Sequence, residues 1–190
     1  MRVNISSLLA VMALTAVLGC GGLIPGNVNL FEGDNAAKAA AAIKSKSGMD
    51  KLNVISAEVR PNEMKITVQS PKNPKEQDEY TYERGSVSGP EPVMIHNVFA
   101  NVVHNTTEIG EINFSAIPAT IKRAVELADA EGAKVTLISM DNQHARTAKP
   151  ELDDTAGAEW ALTWRVFIEG TRTRKYFWAD KQGDLNEKAY

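Results

Sequence analysis

The only cysteine in 190 residues is Cys20, set in the stretch Ala16-Val17-Leu18-Gly19-Cys20-Gly21-Gly22. A lone thiol has no internal disulfide partner, and as a nucleophile it would need a basic neighbour to hold the thiolate. Of the three histidines, His96 and His104 are eight apart, about 26 Å along a straight strand. They could share a metal ion only if the chain turned between them. His144 sits in a polar stretch, and all three read as surface histidines. Glu151, Asp153, Asp154 and Glu159 offer the oxygen ligands that calcium takes, but without the alternate spacing and central glycine of an EF-hand loop. They read as a solvated acidic loop. Asn105-Thr106-Thr107 fits a glycosylation acceptor and reads as a turn. No serine lies in a nucleophile-elbow motif and no glycine loop is built to cradle phosphate. With no nucleophile–base pair in sight, the expectation is a chain that is not an enzyme and needs no metal or cofactor.

What the cysteine is for follows from the residues before it. Arg2 gives a short basic start, and Ile5 to Leu18 is apolar apart from Ser6, Ser7 and Thr15. That combination, ending in small residues, has the form of an export signal over residues 1–19. It is short for a membrane span, which needs about 20 apolar residues. Val17-Leu18-Gly19-Cys20 resembles the lipobox of bacterial lipoproteins: an aliphatic residue, a tolerant position, a small residue, then cysteine. The resemblance implies a thioether-linked diacylglycerol on Cys20, cleavage after Gly19, and acylation of the new amino terminus with a palmitate-like chain. Two or more chains anchor stably, since each buried methylene contributes roughly 0.8 kcal/mol. Gly21 after the cysteine resembles lipoproteins sent to the outer membrane in hosts that have one. The expected location is therefore extracytoplasmic and lipid-anchored.

The elements that must carry any binding surface come after the anchor. Residues 20–34 are rich in glycine and read as a flexible tether, with a root-mean-square reach of about 20 Å. Alanines at 36, 37 and 39–42 predict a helix over Asn35–Ser47, capped by Asp34 or Asn35 and stopped by Gly48. Leu52–Val59 and the alternating Met64, Ile66 and Val68 predict a hairpin about Arg60-Pro61-Asn62. Tyr80 and Tyr82 mark a third strand, Ser86–Pro92 reads as a breaker, and Val93–Val103 as extended. The pattern then restarts. Pro118 opens a second helix with Ile117, Ile121, Ala124, Val125 and Ala128 on one face, and Gly132 is its expected stop. Lys134–Met140 reads as a strand and Asp141–Ala158 as a loop. Trp160–Ile168 alternates for its whole length, and Gly170–Thr173 turns it into Arg174–Asp180.

Both halves thus read as a helix followed by three or four strands. The predicted fold class is α+β, as two tandem repeats over 35–104 and 105–190, with helices on one side of an antiparallel sheet. The expected correspondences are Val54-Ile55-Ser56 with Leu137-Ile138-Ser139, and Tyr80/Tyr82 with Tyr176/Trp178. The second half, through Ala124-x-x-Leu127-Ala128, Val135-x-Leu137, Trp164-Arg165-Val166 and Trp178-Ala179-Asp180-x-x-Gly183, resembles a PepSY-type module. Two in tandem are similar in architecture to the β-lactamase inhibitory protein fold. The resemblance implies a non-catalytic, extracytoplasmic protein-binding or regulatory module, inhibitor-like in some relatives; the other reading is a structural envelope lipoprotein.

If the Trp160–Ile168 stripe is core, Thr163, Arg165 and Phe167 point away from it. A two-residue turn at Gly170-Thr171 would set Arg165 opposite Tyr176. One residue more would set it opposite Phe177, because a one-residue slip exchanges faces. Arginine beside exposed aromatics is typical of interface hot spots. The candidate partner-binding face is Arg165, Phe167, Arg174, Lys175, Tyr176 and Phe177. The net charge of −3 lacks the basic excess of a nucleic-acid binder, so the expected partners are a membrane through Cys20 and an envelope protein.

Overall fold

In the computed structural model, the residues described are 28–93, 106–144 and 160–189. Cys20, His96, His104, the acidic residues 151–159 and the expected boundary at 104/105 lie outside them.

Helix α1 (Asn35–Ser47) has the bounds its alanines predict. Ala36, Ala39, Ala40 and Ile43 are buried along one stripe, the helical spacing that lets a face pack on a sheet. Gly48 ends it in the left-handed region at φ 66°, its N–H donating to Ser45 O. Four strands follow as an antiparallel meander: β1 (Asn53–Val59), β2 (Glu63–Gln69), β3 (Gln77–Glu83) and β4 (Ser86–Pro92). β4 corrects the expected breaker. Its two prolines are tolerated because it lies at the sheet edge, where no further strand needs their missing N–H.

The short strand β5 (Thr107–Glu108) and two 3-10 turns lead into α2 (Ile117–Ala128), which has Pro118 in its first turn. The helix stops at Asp129, in the left-handed region at φ 42°, ahead of the expected Gly132. Four more strands follow among the described residues: β6 (Lys134–His144), β7 (Trp160–Glu169), β8 (Arg174–Ala179) and β9 (Leu185–Ala189). β6 runs past the expected end at Met140, so His144 belongs to a strand, opposite Trp160, and not to a loop.

The nine strands among the described residues form one antiparallel sheet in the order β4-β3-β2-β1-β6-β7-β8-β9, with β5 also paired to β1. The order is symmetrical about the β1/β6 seam. Val54, Ala57 and Val59 are buried on β1 as Val135, Ile138 and Met140 are on β6. Each strand carries one irregularity directly after the first of its three. Across the next strands, Met64 and Ile66 hold the places of Trp164 and Val166, and Tyr80 and Tyr82 those of Phe177 and Ala179. By position in the sheet, Tyr80 and Tyr82 match the buried pair Phe177 and Ala179 in place of the expected Tyr176 and Trp178, and Val54 matches Val135 in place of the expected Leu137. Asn142 fastens the seam, its amide donating to Val54 O and Ile55 O at 3.0 and 2.9 Å while Thr107 Oγ1 donates to its carbonyl.

Both helices and the inward residues of both halves share one hydrophobic cluster. Burial, with the negative charge of Asp78 adding to it, pushes the Tyr80 hydroxyl above its usual range, so it stays neutral in the core. A tight approach lies where the β8–β9 turn meets α2. Gly183, at φ 89°, accepts a hydrogen bond from Thr120 Oγ1 at 2.8 Å, and Thr120 is itself buried.

Candidate functional site

The surface of interest is the sheet face turned away from the helices, on the β6–β7–β8 side. Its geometry follows from the β7–β8 hairpin. Glu169 pairs with Arg174 across a four-residue loop, 170–173, closed by Gly170 N–H donating to Thr173 O at 2.9 Å. Thr171 fixes that length from outside the hairpin: its N–H and Oγ1 both donate to Glu131 O, at 2.9 and 3.0 Å. Arg165 therefore pairs with Trp178, and Phe167 with Tyr176. Neither sequence-predicted register occurs.

This register divides the candidate residues. Arg165, Phe167, Arg174 and Tyr176 lie on the outward face, as expected. Phe177 does not: it pairs with Val166 on the core side and is 1% exposed. Lys175 is also turned to the helix side, where its Nζ donates to Ala128 O at 2.6 Å and caps the C-terminus of α2, a favourable place for a cation. Trp178 is the residue that sequence reasoning left out. The signal for it was present, since Tyr176 and Trp178 alternate with Phe177 and Ala179, but the choice of face hung on the turn length.

Trp178, Phe167 and Tyr176 surround Arg165. The guanidinium carbon lies 4.6 Å from the Trp178 ring centroid, 5.7 Å from Phe167 and 5.9 Å from Tyr176. The rings also touch one another: Phe167 and Tyr176 centroids are 6.2 Å apart, and Tyr176 meets Trp178 edge-on at 6.1 Å. Each cation–π contact at a half-exposed site contributes about 0.5–1 kcal/mol, and together they hold a long, flexible side chain in one place. The Arg165 Nε is sealed from solvent without a hydrogen-bond partner. None of Leu137, Phe167, Tyr176 and Trp178 belongs to the core cluster. Beside them an open concavity of about 610 Å³ is lined by Arg60, Thr136, Leu137, Phe167, Arg174 and Tyr176 among others. Arg60 and Arg174 are exposed and paired with Glu58 and Glu169, at 3.4 and 3.5 Å. Such exposed pairs contribute little to stability.

Among the described residues no three metal-ligating side chains gather. Nor is any of their helices long and apolar enough to cross a membrane. The arrangement on the outer face is suited to gripping a partner through flat apolar contact and a fixed cation.

The chain matches no protein-family profile and no curated protein. Among solved structures, it is similar to that of a "putative lipoprotein" from Clostridium difficile 630, at 14% identity and a TM-score of 0.44, over 86% of this chain and 99% of that one.

Proposed function

We propose that this chain is an exported lipoprotein, anchored through Cys20, whose folded part is a non-catalytic binding or regulatory module facing the extracytoplasmic space. The anchor is supported by the lipobox-like Val17-Leu18-Gly19-Cys20, placed at the end of an apolar, basic-started segment. The two halves are read as copies of one unit, a helix and four strands in the PepSY-like manner; the symmetrical strand order supports this. The observation that carries the binding role is the Arg165–Phe167–Tyr176–Trp178 cluster, set on a sheet face away from both helices. Apolar rings held half-buried around a fixed arginine, outside the core, form the kind of patch that marks an interaction surface.

The anchor and the face are tested separately in the bacterial host. Cys20→Ala is expected to abolish metabolic labelling with a radiolabelled fatty acid, and labelling that persists would refute the lipobox assignment. For the face, intact cells carrying the lipidated chain are crosslinked. A single stoichiometric partner that is lost on replacing Arg165 and Phe167 together by alanine, with the thermal midpoint within a few degrees of the parent, supports the module. Diffuse capture unchanged by that double replacement favours a structural envelope lipoprotein instead.

A further inference from the structure

The symmetry of the sheet sets a built-in control beside Arg165. By strand order and register, the same outward position in the first half is Lys65: it faces Glu58 and Thr81 on the neighbouring strands as Arg165 faces Ser139 and Trp178. Lys65 is neutralised within the chain, its Nζ lying 3.6 Å from Glu63 and 3.8 Å from Glu79. The matching places around Arg165 are held by Thr163 and Tyr176, and that of Glu58 by Ser139. All three carboxylates of the first half are therefore absent from the second, and rings stand in for part of them. Asp141, on the same face, accepts a hydrogen bond from Ser139 Oγ at 3.0 Å, and Arg165 has neither ion pair nor hydrogen bond among the described residues.

A guanidinium held between rings with its charge uncompensated is a receptor for an oxyanion, because its planar fork matches two oxygens at once. The surrounding rings exclude water and raise what that pairing contributes. They also ask for apolar groups beside the anion, which a phosphate or free inorganic anion lacks. Resting on the binding-module reading above, we infer that the outer face of β7–β8 docks an acidic protein segment. One of its Asp or Glu carboxylates pairs with Arg165, while flanking apolar side chains lie over Phe167 and Trp178. The charge complementarity is local: Glu58, Glu63 and Glu79 on the rest of the face are already paired with Arg60 and Lys65, which leaves neither of those cations free for a uniformly acidic chain, so a single carboxylate in apolar company fits best.

The test uses the full chain in detergent and the peptide Ac-Gly-Phe-Glu-Phe-Gly-NH2 beside its Gln counterpart, with binding read by calorimetry. The carboxylate is expected to raise affinity roughly tenfold or more over the amide, as for a hydrogen bond to a charged group. Arg165→Gln should erase that preference. Thr163→Glu, which rebuilds the first half's internal neutralisation without touching the arginine, should erase it too and guards against a folding defect in the first variant. Equal binding of acid and amide peptides, lost on Phe167→Ala, would overturn the carboxylate pairing while sparing the binding face. No binding of either peptide overturns the docking of an acidic segment, and the crosslinking outcome stands apart from it. Two outcomes assign the site to other occupants and overturn the proposal. One is Arg165-dependent binding of anionic phosphatidylglycerol vesicles in place of the peptide. The other is peptide binding that appears only after Glu151, Asp153 and Asp154 are changed to amides, which makes the occupant the chain's own acidic segment.

Discussion

Replacing Trp164 by alanine is expected to lower the free energy of unfolding by about 3–5 kcal/mol, the range for deleting a buried aromatic ring. Trp164 is 0% exposed and lies mid-sheet, paired with Met140 on one side and Ala179 on the other. Its ring also reaches the β8–β9 turn, 3.2 Å from where a side chain on Gly183 would begin. Removing it empties the junction of sheet, α2 and turn together, and no single neighbour can collapse into that space. Phenylalanine should be far milder. The indole Nε1 is buried without a hydrogen-bond partner, so Trp164→Phe deletes an unsatisfied donor, worth roughly 1–3 kcal/mol, against the smaller void it leaves. Urea unfolding of the two variants checks the contrast. Alanine and phenylalanine costing the same would mean that the ring's size is not what holds this junction.

The second large effect is expected at Gly183→Ala, with a loss of about 2–4 kcal/mol. Two independent costs combine there. The backbone sits at φ 89°, a left-handed conformation that penalises any Cβ by roughly 1–2 kcal/mol. The added methyl would also lie 2.6 Å from Thr120 Oγ1 and 2.9 Å from the Ala116 Cβ, an overpacking of about 1–3 kcal/mol. The contact cannot simply open, because Thr120 Oγ1 donates to both Ala116 O and Gly183 O, at 3.0 and 2.8 Å. Combining Gly183→Ala with Thr120→Ala separates the costs. The hydroxyl clash disappears while the backbone strain remains, so the pair should lose less than the sum of the single replacements. Full additivity would show that the hydroxyl yields freely and that strain and the Ala116 contact set the cost.

The sequence was most legible where local chemistry and final environment agree. The alanine run and Gly48 bound α1 to the residue, and the strict alternation of Met64–Val68 and Trp160–Ile168 marked strands with one buried face. It was least legible where a distant contact decides. Ser86–Pro92, with its glycine and prolines, has the composition of a turn and becomes a strand because β3 supplies a partner for it. The 170–173 loop length is set by Glu131 O, on the connection after α2, which nothing in the hairpin's own residues discloses. That single contact decides which of Tyr176, Phe177 and Trp178 surround Arg165. Hence Arg165 and Phe167 could be named from sequence, while Trp178 was missed and Phe177 and Lys175 were misplaced.

The β1/β6 seam bears on how the molecule comes together in time. Every other long pairing in the sheet joins strands that follow one another in the chain, and such hairpins close quickly because little loop entropy is lost. The seam joins β1 to β6, and apart from the two-residue pairing of β1 with β5 only it demands a distant encounter. Until β6 arrives, the first meander would present β1 from Ser56 to Val59, beyond its short pairing with β5, as a bare edge of unpaired N–H and C=O groups, open to any passing strand. A chain stopped short of Lys134 would therefore be the species most prone to pair with copies of itself, and the second half acts on the first as its own edge protection.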